Sequence, residues 1–166
     1  MQLRLTLLVT SFLFLSKSFG QAPPVIQLSE DVEQISVGEG VLVLTDSAGT
    51  LSLEQALAGS YLPSEDENIS YGPSPYTYWM RFDIASGRSD EDLWMLEFGY
   101  PLLDSVSFWL FLGDSLVSEQ EYGDLKPFSE RPVDYRRIAI PLNLVHDQHY
   151  SVVIRVRTES SYQLGM

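Results

Sequence analysis

Apolar and polar positions alternate along most of this chain in short runs that Gly, Pro, Asp and Ser interrupt. Between Tyr78 and Ile84 the residues Tyr78, Met80, Phe82 and Ile84 share one face, and Trp79, Arg81 and Asp83 share the other. That period of two marks a half-buried strand. It recurs in Leu93–Phe98, where Leu96 and Phe98 oppose Glu97, and in Ser105–Leu112, where Val106, Phe108, Leu110 and Leu112 oppose Ser105, Ser107, Trp109 and Phe111. Leu116–Tyr122 is expected to pair with the latter through a Gly113-Asp114 turn. Arg137–Leu142 repeats the pattern with Ile138, Ile140 and Leu142 on one face, and Tyr150–Thr158 turns Val152, Ile154 and Val156 inward and Arg155 and Arg157 outward.

Upstream, the Pro23-Pro24 pair marks an extended leader over Ala22–Leu28, the first clear strand is Val41–Thr45, and a turn follows at Asp46–Gly49. Leu51–Ala58 reads as one short helix, with Ser52 as N-cap and Gln55 as its capping-box partner. Residues Ser60–Pro75 form a loop that contains the acidic run Glu65-Asp66-Glu67. About seven or eight short strands with regular turn signals and one helix point to an all-β fold, an antiparallel jelly-roll-like β-sandwich.

Two blocks punctuate the strands. In LEFGYPLLD (Leu96–Asp104), Gly99, Tyr100 and Pro101 are expected to form a tight corner, since glycine tolerates φ > 0 and proline restricts its neighbour, and Asp104 can bond backbone there. In GDLKPFSERP (Gly123–Pro132), Pro127 bends a loop that should tuck Phe128 inward and pair Arg131 locally.

The chain has 166 residues and no cysteine, which fits one domain without disulfides or thiolate zinc. Residues 1–20 have the features of a secretory leader: Arg4, the apolar stretch Leu5–Leu15, and small residues at Ser18-Phe19-Gly20 before Gln21. The apolar stretch is shorter than the roughly 20 residues that a bilayer-spanning helix needs. Cleavage there takes the formal net charge from −13 to −15, because the cations Arg4 and Lys17 go and no acid goes with them. So acidic a chain repels phosphates and anionic headgroups, which argues against both nucleic acid and a peripheral membrane surface as partners. Export without cysteine suits the bacterial periplasm.

With these motifs in order, the chain resembles the second type of extracellular domain of bacterial receptors that carry seven transmembrane helices and diverse intracellular signalling modules. YWMRF (Tyr78–Phe82), LEFGYPLLDSV (Leu96–Val106), GDLKPFSERP, RRIAIPL (Arg136–Leu142) and VVIRVRTESSYQL (Val152–Leu164) carry the resemblance, with LTDSAGTLSLEQAL and ISYGPSPYTYWMRF upstream. It implies a β-sandwich similar to carbohydrate-binding modules, placed outside the inner membrane as the sensory part of a receptor. The expected organisation is a signal peptide at 1–20, an extended leader running into the first strand at 21–40, and a periplasmic sensory sandwich at 41–166, ending before the transmembrane region that the family normally continues into. Its partners would be a small-molecule ligand, with a saccharide as the leading class, and a membrane-embedded signalling partner. No cofactor or metal is expected.

The outward residues Trp79, Arg81, Trp109, Arg155 and Arg157 are the candidate ligand-binding set. A sugar ring stacks its C–H face on an indole, and a guanidinium fixes hydroxyls or a carboxylate with paired hydrogen bonds. The opposing reading covers the tryptophans with the Ser60–Pro75 loop and pairs the arginines with carboxylates. His146 and His149 have two-ligand spacing but lack partners for a tetrahedral site, and the acidic runs at Glu65–Glu67 and Asp90–Asp92 read as solvated loops rather than calcium sites. There is no G-x-S-x-G, H-E-x-x-H or cysteine nucleophile, so the chain is not read as an enzyme. The alternatives are a free periplasmic binding or protein-interaction module and, third, a glycoside hydrolase built on two carboxylates.

Overall fold

The chain folds around the alternation just described. The structure is a computed structural model and describes residues 21–29, 33–69, 74–87, 93–100, 103–131 and 133–158. Along them run β1 (Val25–Leu28), β2 (Leu42–Asp46), α1 (Leu53–Leu57), β3 (Leu62–Pro63), β4 (Thr77–Ser86), β5 (Trp94–Glu97), β6 (Ser105–Leu112), β7 (Ser115–Tyr122), a 3-10 turn at Phe128–Glu130, β8 (Ala139–Leu142) and β9 (Gln148–Arg157). The signal-peptide reading of residues 1–20, the Asp90–Asp92 run and Pro101 lie outside the described residues.

Two sheets pack face to face, as an all-β sandwich requires. The larger runs β3-β2-β4-β9-β6-β7, and the smaller is the pair β5-β8, lengthened by a hydrogen bond from the Phe98 N–H to the Ile138 carbonyl. β2 and β1 share one edge of β4: β2 pairs antiparallel with Thr77–Arg81, and β1 pairs parallel with Asp83–Ser86. The stretch expected as an extended leader therefore contains a strand, and its pairing with β4 departs from the antiparallel rule that the other described pairs follow.

Period-two alternation sends Met80, Phe82 and Ile84 of β4, Val106, Phe108 and Leu110 of β6, and Val152, Ile154 and Val156 of β9 into one core, against Leu96, Phe98, Ile140 and Leu142 from the small sheet. Each such side chain contributes roughly 1.5–3 kcal/mol by leaving water, so a one-residue slip of any central strand would expose several at once. The opposite face of the large sheet is also covered. Ala56, Trp79, Trp109 and Val153 form a second buried cluster there, flanked by Leu44, Leu51, Leu53, Leu57, Tyr61 and Phe111. α1 thus makes a third layer on part of the sandwich.

One glycine fixes an end of the fold. Gly123, with φ of +132°, carries the chain out of β7 so close to the start of β6 that a Cβ would fall 2.2 Å from the Asp104 carbonyl oxygen. The loop it begins caps the end of the sandwich where β9 finishes, since Tyr122 lies opposite Val106 and Arg157 opposite Ser105.

Candidate functional site

Four of the five sequence candidates do meet on one face, beneath a strap formed by residues 47–61. The strap starts at Asp46, whose carboxylate accepts hydrogen bonds from the N–H groups of Gly49 (2.8 Å) and Leu51 (2.9 Å). Burial pushes this carboxyl up, but the backbone N–H groups of Leu51, Thr50 and Gly49, together with the Trp79 side chain, outweigh it and hold the pKa below the ordinary value. The chain then enters α1 through a reciprocal capping box: the Gln55 N–H donates to Ser52 Oγ (3.2 Å) and the Ser52 N–H donates to Gln55 Oε1 (2.8 Å). Capping matters because a five-residue helix has little else of its own to hold it.

Beneath the strap the rings of Trp79 and Trp109 stack, with centroids 5.5 Å apart and planes 14° from parallel. They are 1% and 8% exposed. Trp109 Nε1 donates to Glu119 Oε1 at 2.8 Å across the β6–β7 pair. Arg81 lies over the Tyr61 ring at 5.5 Å and donates to the Leu57 carbonyl at 3.3 Å, while Arg155 lies over Trp79 at 5.6 Å and donates to the Gly49 carbonyl at 3.1 Å. Both guanidiniums, carried by β4 and β9, therefore tie strap backbone to the sheet. Burial pushes the Tyr61 hydroxyl up to about 12 despite the opposing charge of Arg81.

This arrangement corrects the expectation of an open stacking platform. The indoles face away from the main core, but their rings pack on each other and under α1, and the cover comes from residues 47–61, to which the Ser60–Pro75 loop contributes only its first two residues, Tyr61 among the packed side chains. Arg157 stands apart, exposed at the end of β9. A ligand would reach Trp79 only by displacing the strap.

The punctuated blocks are placed differently from one another. Gly99 and Tyr100 follow β5, Tyr100 packs against the main core, and Asp104 is half-buried beside Gly123. Pro127 leads into the 3-10 turn. Arg131 bridges Asp124 at 3.1 Å, donates to the Arg136 carbonyl at 3.1 Å, and lies 4.9 Å over the Phe128 ring. Phe128, expected to tuck inward, is 51% exposed because the guanidinium rather than the core covers its face. His146 approaches Asp147 at 3.4 Å, and no cluster of three or more metal-ligating side chains occurs among the described residues.

The sequence reading missed a cleft of about 560 Å³ on the other side of the large sheet, between it and β5. Phe82, Ile84, Leu96 and Leu142 supply apolar lining, and Trp94 adds an indole. Polar groups converge around them: Glu33, Gln34, Asn68, Glu97 and Arg137. Arg137 and Glu97 are hydrogen-bonded as an ion pair, and that bond and charge raise the Arg137 pKa further. The volume falls within the roughly 300–1,000 Å³ of small-ligand sites, and an apolar lining with a few convergent polar groups is their usual chemistry. Two acids against one base leave the rim slightly negative, so it disfavours anions.

Residues 38–166 match the family described as 7TMR-DISM extracellular 2, and no curated protein matches the chain. No helix among the described residues is long and apolar enough to cross a membrane.

Proposed function

The chain belongs to the 7TMR-DISM extracellular 2 family, an extracellular sensory domain of seven-transmembrane receptors, and from that premise we propose that it senses a small neutral, polyhydroxylated ligand, a saccharide first, in the cleft lined by Trp94. The observation that carries this reading is the meeting in one cleft of an indole, an apolar lining and five polar groups from distant parts of the chain. An indole offers a sugar its π-face, while the Asn68 and Gln34 amides and the Glu97–Arg137 pair have the donors and acceptors that ring hydroxyls need. The slightly negative rim favours a neutral sugar over a sugar acid or a dicarboxylate.

As part of a periplasmic receptor, the domain would pass its signal through the arrangement that ligand favours, for which a coupling of about 1–3 kcal/mol is enough. The cleft suits this, because one wall is the small sheet and the other the large one, so a ligand between them biases their spacing. Calorimetric titration against neutral saccharides, uronic acids and dicarboxylates tests the reading. Binding of a neutral saccharide that Arg137→Ala abolishes supports it. Binding confined to anions, or binding unchanged in Arg137→Ala, rejects it.

A further inference from the structure

We propose, on the saccharide reading of the cleft, that its ligand is an oligosaccharide of at least two rings lying along the open edge of β5, bound there by the main chain of Met95 and Glu97. Five successive residues, 93–97, line the cleft. A cleft against one face of a strand meets every second residue, so this one runs along the strand's edge. β8 takes the other edge of β5. Across the cleft lie residues 33–37, whose main chain bonds to no main-chain group among the described residues.

The register of β5 fixes which groups face that edge. Trp94 lies opposite Leu142, Met95 opposite Pro141, Leu96 opposite Ile140 and Glu97 opposite Ala139, and the Phe98 N–H bonds the Ile138 carbonyl at 2.9 Å. Bonded pairs alternate with non-bonded ones along an antiparallel ladder. The bonded pairs are therefore those of Phe98, Leu96 and Trp94, and Met95 and Glu97 turn both N–H and C=O away from β8. Pro141 agrees with that phase, since it has no N–H and stands opposite Met95, where the ladder needs none. Met95 is 37% exposed and Glu97 half-buried, and no main-chain group among the described residues bonds their outward N–H or C=O.

Each of the two residues thus offers a donor and an acceptor side by side. Water fills such positions until a ligand displaces it. Two neighbouring ring hydroxyls match one couple, the first accepting from the N–H and the second donating to the C=O. The couples stand two residues apart, about 6.5 Å at the rise of a strand. That is farther than the two diols of one pyranose ring are separated, and it suits hydroxyl pairs on successive rings.

The test is a set of proton–nitrogen correlation spectra of the full chain, labelled with nitrogen-15 and titrated with glucose, galactose and mannose, with cellobiose, maltose, lactose and mannobiose, and with trialanine. A disaccharide is expected to bind at least about tenfold tighter than its monosaccharides and to shift the main-chain N–H signals of Met95 and Glu97 saturably, that of Leu96, bonded to β8, moving less. Met95→Pro removes one outward N–H at a position that an open edge tolerates. With its melting temperature retained, it should weaken the disaccharide about five- to tenfold beyond Met95→Ala, which keeps that N–H. The wild-type shifts decide the matter even if Met95→Pro does not fold. A disaccharide no tighter than its monosaccharides, a folded Met95→Pro that binds as Met95→Ala does, or a Trp94 indole that shifts while the Met95 and Glu97 signals stay still overturns the proposal and leaves the saccharide reading standing. Shifts with trialanine alone, or no response to any saccharide, overturn both.

Discussion

Trp79→Ala separates a covered outer face from an open platform. The side chain is 1% exposed, stacked on Trp109 and beneath Arg155. Truncating a fully buried tryptophan costs about 3–5 kcal/mol through lost transfer energy and the cavity left behind, and that range already absorbs much of the ring stacking. Domains of this kind have about 5–15 kcal/mol of total stability. With a urea slope of about 2 kcal/mol per molar, the unfolding midpoint falls by about 2 M, and the melting temperature by about 10 °C. Far-UV circular dichroism is the suitable probe, because the substitution removes a fluorescence reporter. A ligand platform open to solvent behaves otherwise, since exposed positions change stability by about 0.5 kcal/mol or less. A Trp79→Ala midpoint within that margin of the wild type refutes the strap. A double-mutant cycle with Trp109→Ala should show a coupling of about 0.5–1.5 kcal/mol for the stacked pair.

Two titrations probe the same layer. The Tyr61 hydroxyl is pushed up to about 12 by burial, so its neutral form stabilises the fold below the ordinary tyrosine value and that contribution is lost as pH rises through 12. Burial also pushes the Tyr122 hydroxyl up, so alkaline absorbance titration should show late ionisation from both tyrosines; Tyr61→Phe should remove the share at about 12, and an unchanged amplitude there would contradict the assignment. Because Tyr61 Oη is buried without a hydrogen-bond partner, the substitution should leave stability equal or slightly raised. Asp46 titrates in the opposite sense: its depressed pKa stabilises the fold above the ordinary carboxylate value, and the contribution disappears as pH falls through the folded value. Thermal melts from pH about 5 down to about 2 should therefore be less steeply pH-dependent in Asp46→Asn, and parallel curves would show that the strap does not depend on that carboxylate.

The strands were legible because alternation is enforced by burial on one face. Tyr78–Ile84, Ser105–Leu112 and Tyr150–Thr158 each present that pattern, and β4, β6 and β9 bury the expected residues. The outer face was harder because alternation separates the two faces of a strand without saying which one meets water. YWMRF is nearly continuous in apolar and aromatic residues, a mark of strands covered on both sides, and Leu53, Ala56 and Leu57 at helical spacing supply the cover. Read together, those two signals place Trp79 inside. β1 was hidden by its prolines and by a parallel pairing that has no local signature.

The cleft was illegible for a different reason. Gln34, Asn68, Trp94 and Arg137 are scattered over about a hundred positions and converge only because β5 pairs with β8 and residues 33–37 pass beside them. No motif marks such a site. Phe128 was misplaced because an aromatic in a loop was expected to seek the core, whereas the Arg131 guanidinium lies over its ring and leaves the rest exposed.

The chain contains three tryptophans, and each indole reports a competing location: Trp94 in the cleft, Trp79 and Trp109 under the strap. A nitrogen-15 correlation spectrum recorded while neutral saccharides are titrated therefore tests the central claim most directly. The expected result is a saturable shift of the Trp94 indole, with Trp79 and Trp109 unmoved. Shifts of Trp79 and Trp109 with a stationary Trp94 would contradict it and return the ligand to the outer face.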